Sequence, residues 1–286
     1  MLKNMANKPD IWKLTFITHE LAAAEAALEA FGATTYSTER PEDLIDDPWL
    51  FSIYFDGKPQ LDGLVLPDDA VPQLQCLPDT DWVSESQQNL PPVAITPFYL
   101  HGSHDAPLNG GWHNIEMQAG LAFGSGHHGT TQGCLVLLAE LLKRHPRPLH
   151  VADIGCGSGV LAIAAAKAGC TEVLASDMDP DAVAVTSDNA ALNQVAPHIR
   201  VFEAAGVAHP AYIGRRFDVI FANIMATPLI KLAADFEAHL APHGRLILSG
   251  LLNEQARSVK ARYRAYGLKV EHQHRIGEWT SLCLMR

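Results

Sequence analysis

The stretch that decides the fold runs from Val151 to Gly169 and reads VADIGCGSGVLAIAAAKAG. Its first residues form the apolar run of a buried β-strand, and glycines follow at alternate positions, Gly155, Gly157 and Gly159. The remaining residues are almost all small or aliphatic, as in a buried helix that ends at a glycine. A strand, a glycine-rich turn and a helix in this order predict the first unit of a parallel α/β sheet.

Alternating strand and helix patterns continue to the end of the chain. The strand patterns lie at 149–155, 172–177, 199–204, 217–224, 244–251, 268–277 and 279–286. Asp179-Pro180 and Thr227-Pro228 each combine a capping side chain with a proline, which predicts a helix start at both places. The last two strand patterns meet at Gly277, where a tight hairpin would make the final strand antiparallel. We therefore predict a doubly wound, mostly parallel seven-stranded sheet that binds its ligand at the carboxyl ends of the strands.

The first part of the chain has the pattern of a separate, small α+β domain. Strand patterns lie at 11–17, 33–40, 49–55 and 71–77, and a helix pattern after the first of them ends at Gly32. This order is typical of a ferredoxin-type sandwich, although no second helix is evident. A stretch rich in Pro, Gly, Asn and Gln follows, which indicates a linker with short ordered pieces. We predict a small N-terminal α+β domain at 1–83, a linker at 84–111 and the α/β domain at 112–286.

Composition and charge limit the classes of protein. Hydrophobic residues make up 48% of the 286 positions and charged residues 19%, so the chain has enough apolar surface for a packed core. The net charge of −11 disfavours docking to nucleic acid or to anionic lipid and favours a basic partner. The five cysteines form no CxxC pair, and the N-terminus has no apolar signal core. These features predict a cytoplasmic protein that keeps its thiols reduced and has no membrane segment.

The glycine-rich turn carries the strongest chemical signal. Its glycines let the backbone turn sharply and let a ligand approach amides that a Cβ atom would block. The spacing is GxGxG rather than the GxGxxG of dinucleotide enzymes, and Asp153 stands two residues before the first glycine. A carboxylate at this place would repel a pyrophosphate, but it suits a ligand that carries an ammonium group. Asp153, Gly155 and Gly157 are therefore predicted to bind the cofactor.

A second acidic residue, Asp177, ends the next strand, 22 residues after Gly155. A carboxylate at that strand end accepts hydrogen bonds from both hydroxyls of a ribose. Together with the loop and Asp153, it favours a nucleoside ligand with a positively charged tail, which is S-adenosyl-L-methionine (SAM), over a nicotinamide cofactor. Its neighbour Asp179 is assigned only to capping the following helix.

Two further polar residues end the strands that follow. Asn223 ends the fourth strand of the sheet, where its amide could accept a hydrogen bond from an amine and orient that amine, but could not remove a proton near pH 7. The alternative is that Asn223 has no ligand and only forms the turn after the strand. Glu203 ends the third strand, where it would either meet the adenine amino group or lie as a solvated charge.

A glycine-dense segment, GLAFGSGHHGTT at 120–131, precedes the first strand of the sheet. Thr130 and Thr131 either cap the apolar helix that follows or belong to a flexible flap over the cofactor. His127 and His128 are adjacent and would diverge on an extended chain, so they make a poor metal pair, and we predict no metal site. Cys156 inside the glycine loop is interpreted as a small space-filling residue rather than a nucleophile.

Taken together, these segments resemble the PrmA family, the bacterial ribosomal protein L11 methyltransferases. The segments at 120–131, 151–169, 175–183 and 217–229 are similar to the family's flap, SAM loop, ribose-binding strand end and target-amine motif. The resemblance covers residues 113–286 well and covers the first domain only by general layout.

The resemblance implies a class I SAM-dependent methyltransferase domain that contacts SAM through Thr131, Gly155, Asp177 and Asn223. It also implies a small N-terminal domain that recognises the ribosomal protein, and methylation of its N-terminal α-amine, its lysine ε-amines or both. Three alternatives stay open: a lysine methyltransferase acting on another protein such as the electron-transfer flavoprotein β-subunit, a non-catalytic SAM-binding partner of the ribosome, and a nicotinamide-dependent oxidoreductase.

Overall fold

The structure is a computed structural model of the chain, and its sheets and helices form two compact units, residues 1–82 and 83–286. The residues that it describes are 11–32, 36–40, 48–76, 92–117, 128–144 and 150–286.

The first unit is a four-stranded antiparallel sheet with one described helix. Its elements are β1 (Ile11–Thr18), α1 (Leu21–Phe31), β2 (Tyr36–Glu39), β3 (Trp49–Asp56) and β4 (Gln73–Cys76). The strand order β2-β3-β1-β4 is that of a ferredoxin-type sandwich. Residues 57–72, where such a fold would place its second helix, contain none. Helix α1 buries Leu21, Ala24 and Leu28 and ends at Gly32, whose φ of 84° is left-handed, as the sequence predicts.

The second unit is built on the seven-stranded sheet that the sequence predicts. Its strands are β8 (His150–Ile154), β9 (Glu172–Asp177), β10 (Ile199–Glu203), β11 (Phe217–Asn223), β12 (Leu240–Leu252), β13 (Lys269–Ile276) and β14 (Trp279–Met285). They lie in the order β10-β9-β8-β11-β12-β14-β13. The strands from β10 to β12 run parallel, and β14 is antiparallel to both of its neighbours.

Helices cover both faces of this sheet. They are α2 (Gly129–Arg144), α3 (Val160–Lys167), α4 (Pro180–Leu192), α5 (Ala226–Lys231), α6 (Ala233–His239) and α7 (Ala256–Ala265). One buried cluster joins α2, α3 and α4 to one face, and a second cluster joins α5, α6 and α7 to the other. Because alternate residues of a strand point to opposite faces, Val151 lies in the first cluster and Ala152 in the second.

A third sheet lies partly within the stretch predicted as a linker. Its strands are β5 (Val93–Ile95), β6 (Phe98–His101) and β7 (His113–Glu116). Phe98, Leu100 and Ile115 are buried in the same cluster as helices α2 and α3. The ordered pieces at 93–101 therefore pack into the core of the second unit, although their composition is that of a linker.

The segment after Asn223 differs from its prediction. The sequence suggests a helix that starts at Thr227-Pro228, but α5 begins at Ala226 with Met225 at its cap position. This helix then ends at Leu232, where α6 follows directly. The cap at Asp179, by contrast, is as predicted, and its side chain accepts a hydrogen bond from the Asp181 backbone.

Candidate cofactor and active site

The glycine loop after β8 folds back onto the end of β9. The backbone amides of Gly155 and Cys156 donate to the Ser176 carbonyl over 2.8 and 3.0 Å. Gly155 and Gly157 have φ values of 73° and 54°, which L-residues with a side chain rarely adopt. A Cβ atom on Gly155 would also lie 2.4 Å from Ile224 Cγ2. The loop therefore needs glycine here both for its backbone angles and for the space.

Helix α4 braces the other side of the loop. The Thr186 hydroxyl donates to the Gly157 carbonyl over 2.8 Å, and the Asn189 side chain donates to the Ser158 carbonyl over 2.9 Å. A Cβ atom on Gly159 would lie 2.7 Å from Thr186 Cγ2. Sequence reasoning missed Thr186 and Asn189. In the sequence they are visible only as two polar residues, three positions apart, on the helix face that packs against the sheet.

Asp153 is a buried carboxylate with one unsatisfied oxygen. Only 1% of the residue is exposed, and its Oδ2 accepts a hydrogen bond from the Ala162 backbone over 3.1 Å. Its Oδ1 is buried and has no hydrogen-bond partner among the described residues. Burial, assisted by the charge of Asp177, raises the pKa of Asp153 to about 7. A buried acceptor of this kind is satisfied when a cationic donor arrives.

Asp177 lies at the end of β9, and both of its carboxylate oxygens are oriented by the backbone. Oδ2 accepts from Gly157 over 2.9 Å, and Oδ1 accepts from Asp179 over 3.1 Å. Each oxygen keeps further lone pairs, so the carboxylate can still accept hydrogen bonds from a ligand. The structure thus brings Asp153, Gly155, Gly157 and Asp177 together around one loop.

Asn223 and Thr131 meet at the end of β11. The Asn223 Nδ2 atom lies 3.5 Å from the Thr131 hydroxyl, which is a long hydrogen bond. The Oδ1 atom of Asn223 is buried and has no partner in the described part of the chain. The predicted target-amine residue thus carries a free acceptor, and it touches the end of the predicted flap.

Thr130 and His128 hold that end of the flap. The Thr130 hydroxyl lies 2.8 Å from His128 Nδ1, and the His128 ring packs against Trp279 with its centroid 4.5 Å away. Burial lowers the pKa of His128, which keeps the ring neutral near pH 7. The rest of the predicted flap, at 120–127 and including His127, lies outside the described residues.

Three other residues complete the neighbourhood of the loop. Glu203 is exposed at the end of β10, beside Asp177 in the strand register. Met178, which sequence reasoning passed over, is an apolar side chain 56% exposed directly after Asp177. Cys156 is buried against the Thr186 hydroxyl, and burial raises the pKa of its thiol, which is the opposite of what a nucleophile requires.

In the ranges that the structure describes, no three His, Cys, Asp or Glu side chains lie close enough together to hold a metal ion. The described helices also include none that is long and apolar enough to span a membrane.

Comparison with known proteins identifies the family. The family profile described as "Ribosomal protein L11 methyltransferase (PrmA)" matches residues 60–286. The chain belongs to this family. The ribosomal protein L11 methyltransferase of Bradyrhizobium diazoefficiens is 44% identical over 278 residues, which cover 96% of this chain and 91% of that protein. The one from Brucella suis is 48% identical over 73% of both chains.

A solved structure of a similar protein supports the fold. The ribosomal protein L11 methylase of Lactobacillus delbrueckii subsp. bulgaricus aligns with a TM-score of 0.59 at 30% identity, over 67% of this chain and 96% of that one. The predicted family, the class I methyltransferase fold, the methyltransferase activity and the dependence on SAM are thus confirmed. The alternative of a nicotinamide-dependent oxidoreductase is wrong.

Proposed function

We propose that this chain uses SAM to methylate amines of ribosomal protein L11, and that Asn223 aims the acceptor amine. The observation that carries the proposal is the Oδ1 atom of Asn223, a buried acceptor with no partner among the described residues, at the strand end next to the glycine loop. An amine that donates its N–H to this oxygen would satisfy it, and the lone pair of that amine would then point in a fixed direction. A ribosomal substrate also supports a cytoplasmic location.

The chain's own residues fit SAM part by part. The unsatisfied Asp153 oxygen suits the ammonium group, and the oriented Asp177 carboxylate suits the ribose hydroxyls. Met178 offers an apolar surface for the adenine ring, and Glu203 lies within the same strand-end group. Thr131 and the backbone of the glycine loop complete the set of proposed contacts.

SAM supplies an electrophilic methyl group, so the chain must present an amine in its neutral form. At pH 7 this costs about 1 kcal/mol for an α-amine with a pKa near 7.8, and about 4 to 5 kcal/mol for a lysine with a pKa near 10.4. Asn223 cannot accept the proton. The proton therefore leaves to solvent, and the residues of the site contribute by positioning. Burial would lower the pKa of a lysine and reduce its cost.

Incubation of the purified chain with methyl-labelled SAM and ribosomal protein L11 tests the proposal. We expect label on α-amino or lysine groups of L11, located by mass spectrometry. The variant Asn223→Ala should lose far more turnover than SAM affinity. Unlabelled L11 would overturn the substrate assignment, and an unchanged rate in Asn223→Ala would remove this residue from the mechanism.

A further inference from the structure

A row of polar side chains crosses three adjacent strand ends on the face of the sheet that α2 covers. Asn223 lies beside Ser249 in the register of β11 and β12. The Ser249 hydroxyl lies 2.7 Å from the Ser281 hydroxyl on β14. Both serines are almost completely buried. Two residues further into each strand, the same face is apolar, with Phe221, Ile247 and Cys283 in the core. The polar row is therefore confined to the strand ends at the site.

The two serines fasten the first turn of α2 to the sheet. The Ser249 hydroxyl donates to the Thr130 carbonyl over 3.1 Å. A Cβ atom on Gly133 would lie 2.1 Å from the Ser281 hydroxyl oxygen, so only glycine allows the helix to come this close. Glycine is among the poorest helix formers. Its presence inside α2 therefore indicates that the close approach to Ser281 is a required feature of the fold.

This same turn carries Thr131, which meets the Asn223 amide. Because Asn223 Nδ2 points to the Thr131 hydroxyl, Oδ1 is left without a partner among the described residues. The orientation of the amide thus depends on where Thr131 stands, and Thr131 is held in place through the neighbouring Thr130 carbonyl.

We propose that Ser249 and Ser281 are positioning residues that set the orientation of the Asn223 amide through the first turn of α2. The inference rests on the proposed function of Asn223. Loss of the Ser249 hydroxyl removes the hydrogen bond to Thr130, so Thr131 shifts and the amide oxygen no longer faces one direction. Small displacements of a positioning group have large effects on rate. Of the proposed cofactor contacts only that of Thr131 is disturbed, whereas those on β8, the glycine loop and β9 are left intact.

The first test observes the amide directly, without turnover. In protein labelled with ¹⁵N-asparagine, the side-chain amide signal of Asn223 is assigned by its loss in Asn223→Asp. We expect Ser249→Ala to shift or broaden this signal. The control is Thr280→Val, which removes a buried hydroxyl that donates to Asn253 over 2.8 Å, one residue from Ser281 but on the opposite face. An unmoved Asn223 signal in Ser249→Ala would overturn the inference.

The second test is a double-mutant cycle in methyl transfer. Ser249→Ala should lower kcat about tenfold and weaken SAM binding by a clearly smaller factor, because Thr131 is only one of the proposed cofactor contacts, and Ser281→Ala should act in the same direction more weakly. In the Asn223→Ala background, Ser249→Ala should cause no further loss. The Thr280→Val control should keep the wild-type kcat.

The two tests separate the possible failures. An equal loss of kcat from Ser249→Ala with and without Asn223 would contradict the inference, because the serine would then act by another route. If wild-type protein leaves L11 unmethylated, the proposed function fails, while the Asn223 amide signal still decides whether the serines orient this side chain. Should Ser249→Ala fail to fold, Ser281→Ala provides the same two measurements.

Discussion

Asp153 illustrates how one residue can serve binding at the expense of stability. Its carboxyl group is buried, and burial raises its pKa to about 7 from 3.8. The native state therefore holds a proton that the unfolded chain releases between these two pKa values. The protonated carboxyl group therefore gives its full contribution to the free energy of unfolding below the lower pKa. This contribution is lost as the pH rises through the upper pKa.

The variant Asp153→Asn should therefore gain stability relative to wild type as the pH rises. Asparagine keeps an oxygen that can accept from the Ala162 amide, and it carries no charge. Between pH 5 and pH 8 we expect its free energy of unfolding, relative to wild type, to increase by roughly 2 to 3 kcal/mol. Denaturant unfolding without SAM at the two pH values measures this difference. A difference that does not change with pH would show that Asp153 is not protonated in the native state.

The variant Asp177→Ala should weaken SAM binding by about 2 to 3 kcal/mol, or about 30- to 150-fold, because a charge-assisted contact to both ribose hydroxyls is lost. Calorimetric titration with SAM measures the change. Asp188→Ala is a matched control, since Asp188 is an exposed acid on the nearby helix α4. A loss of less than about 0.5 kcal/mol for Asp177→Ala would place the ribose elsewhere.

At the scale of elements, the decisive contact is that of helix α2 with the sheet. Gly133→Ala would favour the isolated helix, but its methyl group would lie 2.1 Å from the Ser281 hydroxyl oxygen. We expect a net loss of roughly 1 to 3 kcal/mol in unfolding free energy, which is typical of overpacking. Urea unfolding measures it. The loss should shrink in the Ser281→Gly background, and an equal loss in both backgrounds would rule out the clash as its cause.

The whole molecule separates into the second unit, which holds every proposed cofactor contact, and the smaller first unit. The contacts at 130–131, 153–157, 177 and 223 all belong to residues 83–286, which have their own core. A fragment of residues 83–286 should therefore bind SAM within about threefold of the full chain and should lose most of its methylation of L11. Titration with SAM and the labelling assay measure the two effects. Full activity of the fragment would assign substrate recognition to the second unit.

The sequence predicted some elements of this fold well and others poorly, for physical reasons that differ. Local signals sufficed for the glycine loop, the Asp179 cap and the hairpin at Gly277, because each depends on backbone angles that few residue types allow. The strands at 93–101 have the composition of a linker with short ordered pieces, and no local pattern shows their burial, because it comes from distant helices. The break between α5 and α6 at Leu232 has no local signal, because the two short helices share one apolar pattern.

The candidate site shows the same division. Asp153, Asp177 and Asn223 could be named from the chain because each is a polar residue at the end of an apolar strand. The roles of four further residues could not be predicted, since each contacts a residue 29 to 119 positions away along the chain: Thr186, Asn189, Ser249 and Ser281.

The sequence by itself determined the alternation of strands and helices, the glycine turn and the polar residues Asp153, Asp177 and Asn223 near three strand ends, because periodicity and backbone freedom act between near neighbours. Only the tertiary structure decided which polar atoms remain unsatisfied. Asp153 Oδ1 and Asn223 Oδ1 lack partners among the described residues because the packing around them buries each side chain and satisfies only its other polar atom. That outcome depends on how distant segments meet, which no local pattern encodes.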